Sequence, residues 1–303
     1  MPALQETQAA YVVSGKGYRY IFRKDEGLLS QLIIGGREMM EGPMSFSCFR
    51  APTDNDYRWG QGISAIWNKS GEFGNIEYPE LAVKHFKAAS KADGVYLTGE
   101  FIFGVQGRHA ISRGTVEYHI RSDGSLEITQ KGAFSEKLIY WLPRYGYTFA
   151  FKEGVEPIRY LGLGDGECYE DKHRYALPGV YTYICDDPAE MYERPQEWGS
   201  RLGTRWIRLQ SGEHGLGISG KSFSFAASHY DMHQLPKASH RKDLVKKKQL
   251  YLHVDYRMSG VGSASVGGQH PIPQCRINPG EKFTFTIKLH PLKFCTATET
   301  AER

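Results

Sequence analysis

The amino-acid sequence predicts an all-β protein, organised as one large antiparallel β-sandwich. Hydrophobic residues alternate with polar ones along much of the 303-residue chain, which is the pattern of strands with one buried and one wetter face. The 34 Gly, 14 Pro, 19 Tyr and 15 Phe residues indicate many turns between aromatic-rich strands. A chain of this length can bury roughly three-quarters of the surface that its unfolded form exposes, so its core requires neither disulfides nor a metal.

The strands can be placed in chain order from the apolar side of each alternation. A hairpin is predicted where one alternating segment enters the Gly-containing turn at residues 122–125 and a second segment leaves it. The apolar positions of the predicted strands are Tyr18, Tyr20 and Phe22; Leu28–Ile34; Val116, Tyr118 and Ile120; Leu126 and Ile128; Phe223 and Phe225; Leu250, Leu252, Val254 and Tyr256; and Phe283, Phe285, Ile287 and Leu289.

Helical signals are few. Residues 62–69 carry Ile63, Ile66 and Trp67 at helical spacing and predict a short helix, and residues 236–244 predict one further turn. No Pro/Ser-rich linker or fixed-period repeat divides the chain, so a single long sandwich is favoured over two domains.

Charge and composition exclude several function classes. The net charge is only +4, and the densest basic run, residues 240–248, contains Asp243, which is typical of a solvated segment. No window reaches the roughly 18–20 apolar residues that a membrane span requires, and the first residues do not resemble a signal peptide. We therefore expect no nucleic-acid or membrane partner. A cytoplasmic location is favoured, although the compartment of the natural parent stays open.

The cysteines predict neither a disulfide framework nor a zinc site. The five are scattered and form no CxxC pair, so free and mostly buried thiols are expected. They are Cys48, Cys168, Cys185, Cys275 and Cys295.

Three polar segments interrupt the alternation, at residues 49–57, 160–171 and 191–199. The first places an Asp-Asn-Asp cluster beside an arginine, which offers the acceptors and the bidentate donor that sugar hydroxyls use, but the same residue types also build turns. The second contains a GxGxG run without the Lys-Ser/Thr of a phosphate loop, so a nucleotide site is not predicted. His229 and His233 lie on a strand-like pattern, where such a pair is too far apart to chelate one ion readily.

Five motifs in order resemble one family. Residues 49–56 read FRAPTDND, residues 162–169 read GLGDGECY, residues 194–199 read RPQEWG, residues 235–244 read LPKASHRKDL, and residues 252–262 read LHVDYRMSGVG. Together they resemble the small chain, or C-terminal domain, of family 2 β-galactosidases. The resemblance covers roughly residues 11–292, with residues 1–10 as an N-terminal extension and residues 293–303 as a C-terminal tail.

The resemblance implies a galactose mutarotase-like supersandwich that carries no catalytic residue. Retaining glycosidases need two carboxyl groups about 5–5.5 Å apart, and in this family both belong to a TIM-barrel domain, with one in an Asn-Glu dipeptide. This sequence contains no Asn-Glu. We therefore expect the catalytic pair, together with Mg and Na, on a large subunit or on upstream barrel domains, and no metal on this chain. The partners implied are that catalytic part and a β-galactoside; homo-oligomerisation stays open.

The resemblance also implies a set of substrate-binding residues. They are Arg50, Asp54, Asn55, Asp56, Glu167, Trp198, Ser265 and Val266. In the family, a tryptophan near the end of the domain stacks on the aglycone sugar, whereas Val266 stands there in this sequence. We interpret this departure as a different aglycone preference, or as a sign that Trp198 supplies another aromatic face.

The sequence leaves two other functions open. The chain could be a stand-alone mutarotase-like or carbohydrate-binding protein, for which His109, His119, His229 and His253 with Glu167 offer acid–base groups. It could also be a purely structural subunit that makes assembly contacts.

Overall fold

The computed structural model describes residues 1–57, 62–68, 72–262 and 270–294. Antiparallel strands dominate this part of the chain, as predicted, and two short helices, α1 (Asp54–Tyr57) and α2 (Ile63–Asn68), lie between them. The strands are β1 Ala3–Glu6, β2 Ala10–Gly15, β3 Tyr18–Arg23, β4 Leu28–Ile34, β5 Arg37–Glu38, β6 Ser45–Ser47, β7 Glu80–Lys91, β8 Gly94–Gly104, β9 Ala110–Ile120, β10 Leu126–Phe134, β11 Arg144–Phe151, β12 Glu156–Gly164, β13 Leu177–Thr182, β14 Arg201–Ser211, β15 His214–Ser228, β16 Leu250–Met258 and β17 Lys282–Lys293.

The larger sheet forks at β15. Its main path runs β13-β12-β14-β15-β17-β10-β9-β8-β7. The first half of β15 pairs with β17, from His214 opposite Lys293 to Gly220 opposite Ile287, and its second half pairs with β16. β16 pairs in turn with β11, and β11 pairs with β6. The strand β15 therefore belongs to two branches of the same sheet.

The two branches face each other and enclose an aromatic core. The ring of Tyr147 on β11 stacks on Phe285 of β17 at 5.2 Å between centroids, and Tyr145 contacts Phe134 of β10 edge-on at 4.8 Å. These contacts confirm the predicted sandwich, since the alternating apolar positions of both branches point into one shared layer.

A separate five-stranded sheet, in the order β1 to β5, packs on the same core. Phe22 of β3 meets Tyr118 of β9 at 4.8 Å, and the Tyr118 hydroxyl donates to the carbonyl of Gly27 at 3.0 Å. The first of these strands lies within residues 1–10, so part of the stretch assigned to an N-terminal extension forms a sheet edge.

The short helix, the hairpin and the turn that the sequence predicts are all present in the structure. The helix expected over 62–69 is present as α2, with Trp67 buried, and the hairpin at 122–125 joins β9 to β10 with Leu126 opposite Ile120. The turn expected over 236–244 consists of two 3-10 turns, Leu235–Lys237 and Arg241–Asp243.

The four described cysteines are free, and Cys48 and Cys168 are buried, as expected; Cys295 lies outside the described residues. Throughout the described ranges, no helix has the length and apolar character to cross a membrane.

Candidate functional site

The first polar segment forms the one-turn helix α1 through a reciprocal cap. The amide of Thr53 donates to Asp56 Oδ2 at 3.0 Å, and the amide of Asp56 donates to Thr53 Oγ1 at 3.2 Å. This is the capping-box arrangement, in which a Thr and an acid three residues later satisfy each other's backbone donors. The cap explains why TDND becomes a defined helical turn rather than an open loop.

Arg50 connects this turn to the segment that follows β16. Its Nε and Nη2 donate to the two carboxylate oxygens of Asp56 at 3.0 and 2.9 Å, and further bonds reach the carbonyls of Ser259 and Gly260 at 2.6 and 3.0 Å. Arg50 has no exposed surface and Asp56 is 2% exposed. Both residues are thus committed to holding the loops together, and neither is accessible to a sugar in this conformation.

The next contact lies at the base of the segment 263–269. The Asn55 side-chain amide donates to the carbonyls of Val261 and Gly262 at 2.8 and 2.9 Å. The amides of the same two residues donate to the carboxylate of Asp171 at 2.8 and 2.7 Å. Four hydrogen bonds therefore fix the chain at Val261 and Gly262. The predicted site residues Ser265 and Val266 follow directly and lie outside the described residues.

Glu167, from the second polar segment, reaches the third. It accepts from Lys172 Nζ at 2.7 Å, from the hydroxyl of Tyr192, and from the amide of Gly199 at 3.1 Å. Its side chain is largely buried. Like Arg50, Glu167 joins two loops of the site and is saturated with protein donors.

A second buried arginine lies beside these loops. Arg144 on β11 donates to Glu197 at 3.0 Å and to Asp255 at 3.2 Å. Burial raises the pKa of Asp255 to about 7 and raises the pKa of Glu197 from its usual value. One cation and two acids thus lie together away from solvent, so the net charge of this cluster depends on pH.

Trp198 is packed among the loops. It is 8% exposed, shares a small apolar cluster with Ala51 and Leu235, and meets Tyr230 at 6.2 Å between ring centroids. The sequence interpretation that Trp198 offers another stacking face does not match this conformation, because neighbouring side chains cover the ring.

The accessible part of the site surrounds a cavity of about 250 Å³ beside α1. Asp54, exposed at its carboxylate, lines it together with Tyr57 and Arg194, whose guanidinium carbon lies 4.3 Å from the Tyr57 ring centroid. The backbone of Asp54 is fixed by a hydrogen bond, since its amide donates to Gln196 Oε1 at 3.0 Å. Sequence reasoning did not select Tyr57 or Arg194, although one directly follows FRAPTDND and the other opens RPQEWG.

The structure therefore brings four of the five quoted motifs into one place. We call the segments at residues 50–57, 167–171, 194–199 and 259–262 the loop junction. The acid–base groups proposed for a mutarotase-like protein do not meet in this way. In the described contacts, His253 bonds to Thr148, His119 stacks on Tyr96 and His229 bonds to Asp186, whereas Glu167 stays in the loop junction.

The fold and the loop junction define a large antiparallel β-sandwich domain whose loops converge on one polar site. The chain belongs to the beta galactosidase small chain family, which it matches over residues 14–289. It is 29% identical over 283 residues to a beta-galactosidase of Staphylococcus xylosus, covering 90% of this chain and 27% of that protein. A beta-galactosidase of Actinobacillus pleuropneumoniae is 28% identical over 270 residues, covering 87% of this chain and 25% of that protein. The chain thus spans about a quarter of the length of these curated relatives.

Two solved structures of sugar epimerases are also similar in shape. A putative aldose 1-epimerase from Escherichia coli K12 aligns with a TM-score of 0.49 and 12% identity, covering 94% of this chain and 99% of that chain. A galactose 1-epimerase from Lactobacillus acidophilus NCFM aligns with a TM-score of 0.48 and 9% identity, covering 97% of this chain and 99% of that chain.

Proposed function

We propose that this chain is the non-catalytic small-chain part of a β-galactosidase and that it completes the active site for hydrolysis of terminal β-D-galactosides. The observation that supports this most directly is the convergence of the family motifs on the loop junction. The match to about a quarter of each curated relative supports a partner that carries the rest of the enzyme. That partner is a large catalytic subunit or upstream barrel domains, which in this proposal hold the two catalytic carboxylates and the Mg and Na ions.

The loop junction divides this task between buried and accessible residues. Arg50, Asp56 and Glu167 hold the loops in position, because their polar atoms form hydrogen bonds within the protein. Asp54 and Arg194 present a carboxylate and a guanidinium beside the Tyr57 ring, which suits the hydroxyls and the apolar C–H face of a sugar. In this proposal, Trp198 supports the loops by packing against their apolar side chains.

The aglycone preference depends on the segment held by Asn55. Its fixed base at Val261 and Gly262 is the support from which Ser265 and Val266 contact the leaving sugar in this proposal. A valine offers less flat surface than the family's tryptophan, so we propose that the enzyme favours β-galactosides other than lactose.

The test combines the purified chain with the catalytic polypeptide of its own enzyme and follows hydrolysis of o-nitrophenyl β-D-galactoside. We expect no turnover by either part alone and activity when they are mixed. The variant Asp54→Ala should reduce the restored activity, whereas Asp25→Ala, at an exposed turn between β3 and β4, should not. Strong hydrolysis by this chain alone, or none by the mixture, would contradict the proposal.

The aglycone proposal has its own test in Val266→Trp. We expect the added ring to raise kcat/KM for lactose by about 2- to 10-fold, the value of one aromatic contact, with little change for o-nitrophenyl galactoside. An equal change for both substrates would show that this position does not select the aglycone.

A further inference from the structure

Far along the sequence from the FRAPTDND motif, three side chains with metal-binding atoms meet at one edge of the forked sheet. Glu156 begins β12, Cys185 follows β13, and His229 comes directly after β15. A carboxylate oxygen, the thiol sulfur and an imidazole nitrogen of these residues all lie within 4.8 Å of one another. No other group of this kind is found in the described ranges.

The carboxylate and the thiol of the group approach different nitrogens of the imidazole. Glu156 Oε1 lies 3.0 Å from His229 Nε2, and Cys185 Sγ lies 3.5 Å from His229 Nδ1. Zinc bonds of about 2.3 Å to sulfur and about 2.0–2.1 Å to nitrogen or oxygen place neighbouring ligand atoms roughly 3.3–3.6 Å apart. A metal at Nε2 therefore requires the Cys185 side chain to turn toward that nitrogen, and the half-exposed Glu156 carboxylate to move back by a few tenths of an ångström.

A second carboxylate orients the imidazole. Asp186 Oδ2 lies 2.9 Å from His229 Nδ1, and Asp186 Oδ1 accepts from the Ser228 hydroxyl at 2.7 Å. The Asp186 side chain is only 6% exposed, and Lys246 Nζ stands 3.5 Å from it. A carboxylate on one ring nitrogen with a metal on the other is a common second-shell arrangement at metal-binding histidines.

We propose that Glu156, Cys185 and His229 bind a divalent transition metal, with Zn²⁺ the ion whose ligand preferences fit best. Thiolate and imidazole select zinc over Mg²⁺ or Ca²⁺, which prefer oxygen. Three protein ligands leave a fourth position for water on the exposed side of Glu156. The ion joins the start of β12, the segment after β13 and the end of β15.

The test is equilibrium dialysis of the reduced, chelator-treated chain against zinc chloride, with bound zinc measured by atomic emission. We expect one zinc per chain, and with cobalt(II) a thiolate-to-metal charge-transfer absorption. Cys185→Ser and His229→Gln should weaken zinc binding by more than about 100-fold, because losing a second-shell partner alone costs roughly 10–100-fold. Asp186→Asn should fall in that smaller range.

Cys275→Ser is the matched control, since Cys275 is also partly buried and free, and its thiol donates to the backbone carbonyl of Glu170. It should leave zinc binding and the cobalt spectrum unchanged. Circular dichroism checks that each variant is folded. The cobalt spectrum of the wild type tests the proposal even if a variant fails to fold. The proposal is overturned if wild type binds no zinc saturably, if its cobalt complex lacks the thiolate absorption, or if both ligand variants bind as wild type does.

Discussion

The loop junction and the aromatic core between the sheet branches bury side chains of opposite chemistry. In the core, uncharged rings such as those of Tyr147 and Phe285 stack on each other. In the loop junction, Arg50 and Asp56 are equally buried but depend on a small set of directed bonds. Packing against many neighbours tolerates a small change of shape, whereas a buried charge that loses its partner has no substitute. Single polar substitutions should therefore damage the loop junction more than conservative apolar ones damage the core.

The largest effect is expected from Arg50→Met. Removing the guanidinium leaves Asp56 and two backbone carbonyls buried without the donors that Arg50 supplies, which should lower the free energy of unfolding by about 3–5 kcal/mol. Urea denaturation measures this loss. Arg23→Met, at an exposed pair with Asp25, serves as the control and should change stability little. Equal losses in the two variants would remove the contrast between buried and exposed arginines.

The second prediction concerns pH. Because the folded-state pKa of Asp255 is about 7 and its ordinary value is 3.8, the folded chain binds this proton more tightly than the unfolded chain. Its stabilising contribution is present below about pH 4 and is lost as the pH rises through 7, at no more than about 1.4 kcal/mol per pH unit. Denaturation across pH 4–8 should show a steeper fall in wild type than in Asp255→Asn, in which Glu197, whose pKa is also raised, still titrates.

Asp25→Asn is the control for that series. Hydrogen bonding to Arg23 lowers the pKa of Asp25, so its own contribution has the opposite sign and is lost in acid. A pH profile that is identical in wild type and Asp255→Asn would show that Asp255 does not carry the effect.

A smaller loss is expected from Asn55→Ala. Two hydrogen bonds to the carbonyls of Val261 and Gly262 disappear, which should cost about 1–2 kcal/mol and loosen the base of the segment that follows. Hydrogen exchange at the Gly262 amide should become faster. Asn68→Ala, at an exposed position in α2, should leave that exchange rate unchanged, and unaltered exchange in Asn55→Ala would mean that Asp171 alone fixes the segment.

The smallest effect is expected in the apolar layer itself. Ile218→Val removes one methylene from a fully buried position and should cost about 0.5–1.5 kcal/mol, with the same value at every pH. Ile139→Val, at a side chain that is 79% exposed, should change the unfolding free energy by less than about 0.5 kcal/mol. If Ile218→Val costs as much as Arg50→Met, the proposed difference between the two regions is wrong.

The contrast between the apolar core and the loop junction also explains which features could be predicted from the sequence. Tyr18, Tyr20 and Phe22 alternate with polar neighbours, and all three are buried as that alternation implies. Strand period is a local property, so the sandwich class and the helix over 62–69 could be inferred from neighbouring residues. The family motifs are also short stretches of neighbouring residues, so they could locate the loops of the site.

The bonding of those loops depends on residues far apart in the chain. Arg50 is buried because it reaches Ser259 and Gly260, about 200 positions further on. Nothing local distinguishes this arginine from one that faces solvent, and only the family resemblance places it among the substrate-binding residues. The burial of Trp198 is equally non-local, because its contact with Leu235 covers the ring only in the folded chain. The fork at β15 likewise follows from long-range pairing that a two-residue period does not reveal.

That fork limits how the domain can come apart. β15 forms hydrogen bonds with β14 on one side and with both β16 and β17 on the other, each over part of its length. Neither branch can peel away without exposing the polar edge of the strand on which the other branch depends. The chain should consequently unfold as one cooperative unit, and attempts to split it into complementing fragments should leave His214–Ser228 uncut.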